Sequence, residues 1–104
     1  MFGWLRDDRT FGTPRSPKWR EVRADHLKRQ PSCQACGRAG SLEVHHIVPF
    51  HVDQSKELDP VNLMSLCADP CHLVHGHLMS WRRWDPDCVQ NCAAYKGRVD
   101  RSKE

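Results

Sequence analysis

Residues 33–72 read CQACGRAGSLEVHHIVPFHVDQSKELDPVNLMSLCADPCH and contain most of the cysteines and histidines of the chain. It opens with Cys33-Gln-Ala-Cys36-Gly37 and closes on Cys67-Ala-Asp-Pro-Cys71 before His72, so that two close pairs of cysteines enclose thirty residues. Four thiolates in two pairs are typical of a closed, structural zinc site, and the glycine permits the tight turn that such a knuckle requires. The stretch therefore predicts a zinc-stapled unit.

The second cysteine pair leaves one alternative open, because three residues separate Cys67 from Cys71 where two are commoner. In that alternative, one of these cysteines shares the ion with His75 or His77. We expect the four cysteines to hold the zinc together.

Length and composition bound the class of protein. A chain of 104 residues is one small domain, which buries proportionally little surface and gains from a metal staple. Hydrophobic residues make up 38% of the chain, and no apolar run approaches the roughly 20 residues of a membrane helix. Residues 1–6 reach an arginine at once and lack the apolar core of a secretory signal. We therefore expect a cytoplasmic protein without a membrane span.

Six cysteines in a reducing cytoplasm favour bonds between thiolates and metal over three disulfides. Cys88 and Cys92 are left over after the two pairs, and they lie four residues apart in a segment with helical spacing. We expect them to pack the buried face of a last helix, because free cysteine is commonly buried. A second metal site and a disulfide are the alternatives.

Charge is unevenly distributed along a chain whose formal net charge is +3. Residues 1–30 carry eight Lys or Arg against four Asp or Glu, residues 31–81 two against five, and residues 82–104 six against four. The middle segment holds six of the seven histidines. Basic flanks around a metal centre suit a polyanionic substrate whose phosphates they hold. An ordinary solvated surface is the alternative explanation of the same charges.

Residues 1–30 are predicted as an arm followed by a helix. Residues 1–15 contain glycine, proline and charge without a sustained period, which indicates a basic, flexible arm. Ser16 supplies an N-cap hydroxyl and Pro17 the first helical position of a helix that stops before Pro31. The apolar stripe of this helix comprises Trp19, Val22, His26 and Leu27.

Two strands and a second helix start are predicted between the cysteine pairs and just beyond them. Residues 41–48 are rich in branched apolar residues and end at a proline, and residues 61–66 form the returning strand. Asp69 and Pro70 give a cap and a proline for a following helix. Knuckle, hairpin and helix in this order are typical of a treble-clef zinc module.

The adjacent histidines His45 and His46 lie near the end of the first predicted strand. Side chains alternate across a strand, so the two rings face opposite ways unless the strand bends or bulges there. That geometry would separate a metal ligand from a general base.

Together these blocks resemble the HNH endonuclease family, the zinc-stapled ββα-metal (His-Me finger) nucleases of phages and bacteria. The resemblance covers roughly residues 15–84. Its motifs stand here as Lys18-Trp-Arg20, Cys33-x-x-Cys36-Gly37, Leu42-Glu-Val-His-His-Ile-Val-Pro-Phe50, Leu58-Asp-Pro-Val-Asn-Leu63, Leu66-Cys67, and Cys71-His72 through Gly76-His77. We therefore expect a small α+β, treble-clef-like nuclease domain over residues 16–84, an arm at 1–15, and a C-terminal helix and tail at 85–104.

The resemblance also implies site residues and cofactors. It implies that His45 and His72 bind one catalytic divalent ion (Mg²⁺, Mn²⁺, Ni²⁺ or Zn²⁺), that His46 is the general base, and that Asn62 holds His46 or its loop in place. His77 is a further candidate ligand. A neutral imidazole can take a proton from water near neutral pH. A structural zinc on the four cysteines and DNA as the substrate complete the expectation.

The remaining histidines and the two tryptophans of residues 81–84 receive structural interpretations. We expect a structural or surface role for His75, and no functional role for His51 or His26. In Trp81-Arg-Arg-Trp84 we expect both tryptophans in the core, although paired aromatics with arginines can also clamp nucleic acid. The predicted contacts to DNA are Arg15, Lys18, Arg20, Arg23, Arg82 and Arg83.

The sequence therefore predicts an endonuclease that hydrolyses DNA phosphodiesters with one divalent ion. A treble-clef module that binds DNA or RNA without cleaving it is the main alternative. It accounts for the zinc and the basic flanks but leaves the two histidines of the strand, Asn62 and His72 unexplained. A zinc domain that binds other proteins is a third reading. Oligomeric state is not encoded in any pattern of the chain.

Overall fold

The computed structural model describes residues 16–103, and the predicted arm therefore lies outside the described residues. Helix α1 runs Trp19–Arg29, strand β1 Leu42–His46, strand β2 Leu63–Cys67 and helix α2 Cys88–Ser102. A short π-helical turn at His72–Gly76 follows β2. The described part of the chain is thus a small α+β fold built on a two-stranded antiparallel sheet.

The register of the sheet assigns side chains to its two faces. Leu42 pairs with Cys67 and His46 with Leu63, so directly opposed residues share a face. His46 contacts the ring of Trp19 on α1, whereas His45 contacts the histidines of the segment after β2. Helix α1 therefore covers one face of the hairpin, and the π-helical turn covers the other.

The core is built largely from cysteines. Cys33, Ala35, Met64, Leu66, Cys67, Cys71, Cys88 and Cys92 form one cluster of buried side chains. The cluster joins the knuckle, β2 and α2, because each of these elements contributes at least two members. A domain of this size with so few large apolar side chains in its core depends on a further source of stability.

Helix α1 begins later than its cap signal predicts. Its N-cap is Lys18, without a side-chain hydrogen bond, and Ser16 instead accepts a hydrogen bond from the backbone N–H of Lys18 at 3.2 Å. The backbone N–H of Ser16 donates to the carboxylate of Glu57. Ser16 therefore closes a turn that fastens the chain to the loop after β1, and Pro17 lies in that turn. Of the predicted stripe, His26 is buried, and the others are half-buried.

The strand and helix boundaries near the site also differ from the prediction. Strand β1 ends at His46 because the N–H of Val48 bonds to the side chain of Asn62, not to the sheet. Strand β2 begins only at Leu63, after a 3-10 turn at Pro60–Asn62. The predicted cap at Asp69 is wrong. The N-cap of the π-helical turn is Cys71, whose side chain points to the other cysteines.

Candidate metal centres

The two cysteine pairs converge on one point. The sulfur atoms of Cys33, Cys36, Cys67 and Cys71 all lie within 4.8 Å of one another. Three of the residues are buried, and Cys36 is half-buried. Backbone N–H groups of Ala35 and Cys36 each lie 3.4 Å from the sulfur of Cys33. A group of four thiols supported by backbone N–H donors is the arrangement of a closed structural zinc site.

Protonation within the cysteine group is uneven. Burial opposes ionisation of Cys33, but hydrogen bonds from the backbone N–H groups of Cys36, Cys67 and Ala35 outweigh it and lower the pKa of its thiol to about 7. Burial raises the pKa of the Cys67 and Cys71 thiols, and the neighbouring cysteines add to the increase at Cys71. A cation would offset the charge of several thiolates at once, so these residues fit a bound metal ion.

The alternative ligands of the cysteine group lie elsewhere. The ring of His75 contacts the ring of Tyr95 on α2, with 4.5 Å between centroids, and His77 joins a separate group of histidines. The buried thiols of Cys88 and Cys92 are free and 3.7 Å apart, and the Cys88 thiol points to the carbonyl oxygen of His75 at 3.4 Å. Within residues 16–103 this pair packs the core, as expected from its helical spacing.

A second group of potential ligands consists of His45, His72 and His77. One ring nitrogen from each lies within 4.8 Å of the others. The ring centroids are 5.1 Å apart for His45 and His72, 4.9 Å for His45 and His77, and 5.0 Å for His72 and His77. Three imidazoles that converge without bonding to one another form a candidate site for a divalent transition-metal ion.

Hydrogen bonds fix the tautomers of two of these rings. Nδ1 of His72 lies 2.6 Å from Oε1 of Glu43, and Nδ1 of His77 lies 2.8 Å from the carbonyl oxygen of Arg83. Both partners accept, so each Nδ1 donates, and the neutral ring keeps its lone pair on Nε2. A carboxylate or carbonyl behind a ligating histidine is the usual way in which proteins orient that ligand. Glu43 was missed by the sequence analysis.

The ring of His45 is buried in an unusual state. His45 is 1% exposed, and neither of its ring nitrogens has a hydrogen-bond partner among the described residues. Burial, followed by the nearby rings of His72, His77 and His46, lowers the pKa of His45 to about 3. A neutral imidazole with both nitrogens unsatisfied costs free energy unless something binds it. A metal ion would satisfy one of them.

The histidine group is also shaped by a glycine. A Cβ atom on Gly76 would lie 3.0 Å from Cε1 and Nδ1 of His45 and 3.2 Å from Cδ2 of His72. Gly76 is buried and has no left-handed φ, so its lack of a side chain serves close packing and not backbone conformation. The backbone at Gly76 thus forms one wall of the histidine group.

The π-helical turn explains why His72 and His77 meet although they are five positions apart in the sequence. In an α-helix, with 3.6 residues per turn, positions five apart lie on different sides. A π-helix has a wider turn, closed by i→i+5 hydrogen bonds, and brings such positions onto one side. Because π-helical turns are rare, spacing alone did not identify His77 as an equal member of the group.

His46 occupies a different environment from His45. Its Nε2 lies 2.9 Å from the carbonyl oxygen of Glu57, so Nε2 donates and the neutral ring carries its acceptor lone pair on Nδ1. The ring lies against Trp19, with 4.6 Å between centroids. The two adjacent histidines nevertheless border the same cavity of about 250 Å³. Its lining includes His45, His46, His51, His72, His77 and Trp81.

Asn62 is buried and makes three side-chain hydrogen bonds. Its Oδ1 accepts from the N–H of Val48 at 2.8 Å, and its Nδ2 donates to the carbonyl oxygens of Val48 and Lys56 at 3.0 and 3.1 Å. Lys56 precedes Glu57, whose carbonyl holds His46. Asn62 therefore fastens the loop that orients His46.

The predicted DNA contacts lie partly on the surface. Arg15 is outside the described residues. Lys18 and Arg20 on or beside α1 are exposed, as are Arg82 and Arg83, whereas Arg23 is half-buried. None of the helices in residues 16–103 is long and apolar enough to cross a membrane.

Two sequence interpretations of aromatic and histidine residues change. The expectation of a buried Trp81 is wrong, because Trp81 is 57% exposed and its ring contacts His72 and His77; only Trp84 is half-buried. His51 lines the cavity of the histidine group, so its surroundings are not those of an ordinary loop residue. The ring of His26, in contrast, bonds to the side chain of Gln30, the residue that caps the end of α1.

The comparisons with known proteins agree with the geometry. Residues 33–78 match the family model described as HNH endonuclease, and the matched segment contains both candidate metal centres. Neither the curated proteins nor the solved structures give a match to the chain. The match confirms the resemblance seen in the sequence: residues 33–78 of this chain are similar to the HNH endonuclease family.

Proposed function

We propose that this protein is a DNA endonuclease that hydrolyses phosphodiester bonds with one divalent ion and a histidine general base. The similarity of residues 33–78 to a nuclease family supports the reaction class. The observation that carries the proposal is the convergence of His45, with two unsatisfied buried nitrogens, on His72 and His77 beside a cavity. A stable fold has no need of this costly arrangement, so it supports a site kept for an ion.

His45, His72 and His77 would hold the catalytic ion. Imidazole ligands suit Zn²⁺, Ni²⁺ and similar ions, and three protein ligands leave positions for water and a phosphate oxygen. When bound, such an ion offsets the negative charge that builds on the phosphate and leaving oxygen. The carboxylate of Glu43 accepts a hydrogen bond from Nδ1–H of His72. This bond directs Nε2, the opposite ring nitrogen, toward the site.

His46 would act as the general base. Its Nε2 proton is bonded to the carbonyl oxygen of Glu57, so the ring can accept a proton at Nδ1 from a water molecule without changing position. Asn62 fixes the loop that carries this carbonyl. The ring of Trp19, which lies against the imidazole at a tilt of 31°, further restricts its rotation. Position and tautomer thus both favour removal of a proton by His46.

The four cysteines would hold a structural zinc ion. Their burial and their four-fold donor set suit a closed site with no position for substrate. Basic residues complete the proposal, with Arg15, Lys18, Arg20, Arg23, Arg82 and Arg83 as the candidate contacts to the DNA backbone. A zinc module that binds nucleic acid without cleaving it needs the cysteines and the basic residues alone, and it leaves the histidine group without a purpose.

A plasmid cleavage assay tests the proposed activity. Purified, zinc-loaded protein is incubated with supercoiled plasmid, without added metal and with Mg²⁺, Mn²⁺, Ni²⁺ or Zn²⁺. We expect nicked or linear DNA only when a divalent ion is added. His75→Ala provides a matched control, because His75 lies outside the histidine group and contacts α2 instead. Retention of DNA in a gel-shift assay with no cleavage under any ion would favour the non-catalytic module.

A further inference from the structure

Trp81 lies at the rim of the candidate catalytic site with most of its surface exposed. Its ring centroid is 5.1 Å from that of His72 and 4.9 Å from that of His77, and the residue is 57% exposed. It also lines the cavity shared by His45 and His46. An indole offers a large, rigid apolar face, and one that lies beside two metal-ligand candidates and still faces solvent is a candidate contact for substrate.

The backbone before Trp81 adopts an unfavourable conformation that holds this position. Leu78 and Met79 have φ values of 52° and 72°, in the left-handed region that residues with a Cβ atom seldom adopt. The segment is fixed by hydrogen bonds from Met79 N to Leu73 O at 2.9 Å and from Ser80 N to His77 O at 3.0 Å. Strain maintained by surrounding bonds is concentrated at functional sites. Here its effect is to carry Trp81 out beside the histidines.

We propose that Trp81 is a stacking platform for an unpaired nucleobase next to the scissile phosphate. This inference rests on the proposed nuclease function and adds the class of substrate. A base is joined to its phosphate through one sugar, so a phosphate at the histidine group brings a flanking base within reach of Trp81. Indole rings stack on any base, and each such contact contributes substantially to binding of single strands. A base inside an intact duplex does not offer its face.

The platform therefore predicts a preference for DNA in which a base leaves the helical stack. Single strands, flaps and mismatched positions meet this condition, whereas perfect duplex must first pay for unstacking. Exposed Arg83 lies two residues from Trp81 and can provide a phosphate contact near the stacked base. Thymine-rich single strands suit a test because they have little stacking of their own.

A binding experiment that separates base stacking from phosphate contacts tests the proposal. Full-length, zinc-loaded protein is titrated, without added divalent ion, into a labelled oligothymidylate and into an abasic oligonucleotide of equal length. The two strands carry the same phosphates, and only the first has aromatic faces. From the usual contribution of one stacked base, we expect the wild type to bind oligothymidylate about 5- to 150-fold more tightly.

Three variants decide whether Trp81 causes that ratio. Trp81→Leu keeps apolar bulk against the histidines and should bring the ratio close to one, whereas Trp81→Phe should retain part of it. Met79→Ala is the matched control, since Met79 is 66% exposed in the same loop and should leave the ratio unchanged. The affinity for abasic strand is expected to be similar in all of them and reports correct folding.

Two results would overturn the platform. One is a ratio near one in the wild type, and the other is an unchanged ratio in Trp81→Leu. If that variant instead loses affinity for Ni²⁺ with its ratio intact, the ring serves only to position His72 and His77. This experiment measures no cleavage, so its outcome is independent of the nuclease proposal. A protein that leaves plasmid intact can still bind oligothymidylate more tightly than the abasic strand, and a protein that cleaves plasmid can lack that preference.

Discussion

The four-cysteine group and the three-histidine group share one small hairpin and differ in almost every physical property. The cysteines lie within the core, among Leu66, Cys88 and Cys92, and two backbone N–H groups donate to the sulfur of Cys33. The histidines border a cavity of about 250 Å³, and the nitrogens of two rings are oriented by one partner each. Cys71 and His72 are adjacent in sequence, yet they belong to different groups.

We infer that this difference separates a structural metal site from a reaction site. Four buried or half-buried protein ligands would leave no position for substrate, so an ion held by them would contribute to folding alone. A group with three protein ligands beside a cavity leaves positions open. The placement of Cys71 and His72 at the start of one π-helical turn means that the staple also fixes the histidines. The two roles can therefore be tested by substitutions that alter one group of ligands and leave the other unchanged.

The largest effect is expected from Cys33→Ala. Structural zinc contributes on the order of 10 kcal/mol to folding, which is comparable to the whole stability of a small domain. We therefore expect the variant to lose its zinc and to lack a cooperative unfolding transition by circular dichroism. Cys92→Ala is the control, because it removes a buried thiol outside the group and should cost only about 1 kcal/mol with zinc retained. A folded, zinc-free Cys33→Ala protein would refute the staple.

The second effect distinguishes the adjacent histidines. His46→Ala should lower cleavage by roughly 10²- to 10⁴-fold, the usual contribution of a general base, while affinity for Ni²⁺ persists. His45→Ala should weaken the affinity itself, so that a high metal concentration partly restores its cleavage but not that of His46→Ala. Metal titrations followed by calorimetry and by plasmid cleavage check both statements. Loss of ion binding in His46→Ala would show that the roles are wrongly assigned.

The sequence carried enough information to predict the cysteine group and the separation of the adjacent histidines. The spacing of the two cysteine pairs is typical of zinc ligands and so indicates that the pairs bind the same ion. Side chains alternate along a strand, so neighbouring residues face opposite ways whatever the tertiary structure. Alternation also contained an unused signal. Glu43 lies two residues before His45 on β1, so both point to the same face and toward the segment of His72.

Other features depend on tertiary geometry that no local pattern encodes. The π-helical turn that joins His72 to His77 has no sequence signature, and Trp81 looks the same in sequence whether it is buried or exposed. The prediction of an N-cap at Asp69 was wrong because the sulfur of Cys71 lies with those of the other cysteines. The π-helical turn begins only after Cys71. Local preferences at these positions yield to the constraints of the two centres.

A third, smaller effect is expected from Gly76→Ala. The new Cβ would meet the His45 ring at 3.0 Å, and the ring has to shift by a few tenths of an ångström. Changes behind metal ligands typically reduce metal affinity by 10- to 100-fold, and we expect the lower end of that range with the zinc content unchanged. Gly97→Ala is the matched control, because only the end of the Arg101 side chain lies near its added carbon. Equal Ni²⁺ affinities for wild type and Gly76→Ala would show that the wall is not needed.

The smallest effect concerns pH in the absence of added divalent ion. The pKa of His45 is about 3 in the folded state, compared with about 6.5 when unfolded, so the unfolded chain binds the extra proton between these values. Stability is therefore retained above about pH 6.5 and falls as the pH decreases toward 3. From about pH 7.5 to 5.5, His45 should account for about 1.4 kcal/mol of lost stability. In His45→Leu, the free energy of unfolding measured with urea should lack this part of its pH dependence. The same pH dependence in the wild type and in His45→Leu would contradict a buried, neutral ring.

The most direct test of two unlike centres is the zinc content of one preparation under two conditions. Wild-type protein is loaded with excess zinc, and its zinc is measured before and after dialysis against a weak chelator. We predict two ions per chain before dialysis and one after it, and a variant with alanine at His45, His72 and His77 should hold one ion throughout. A single ion under both conditions in both proteins, or loss of the retained ion in the histidine variant, would contradict the account.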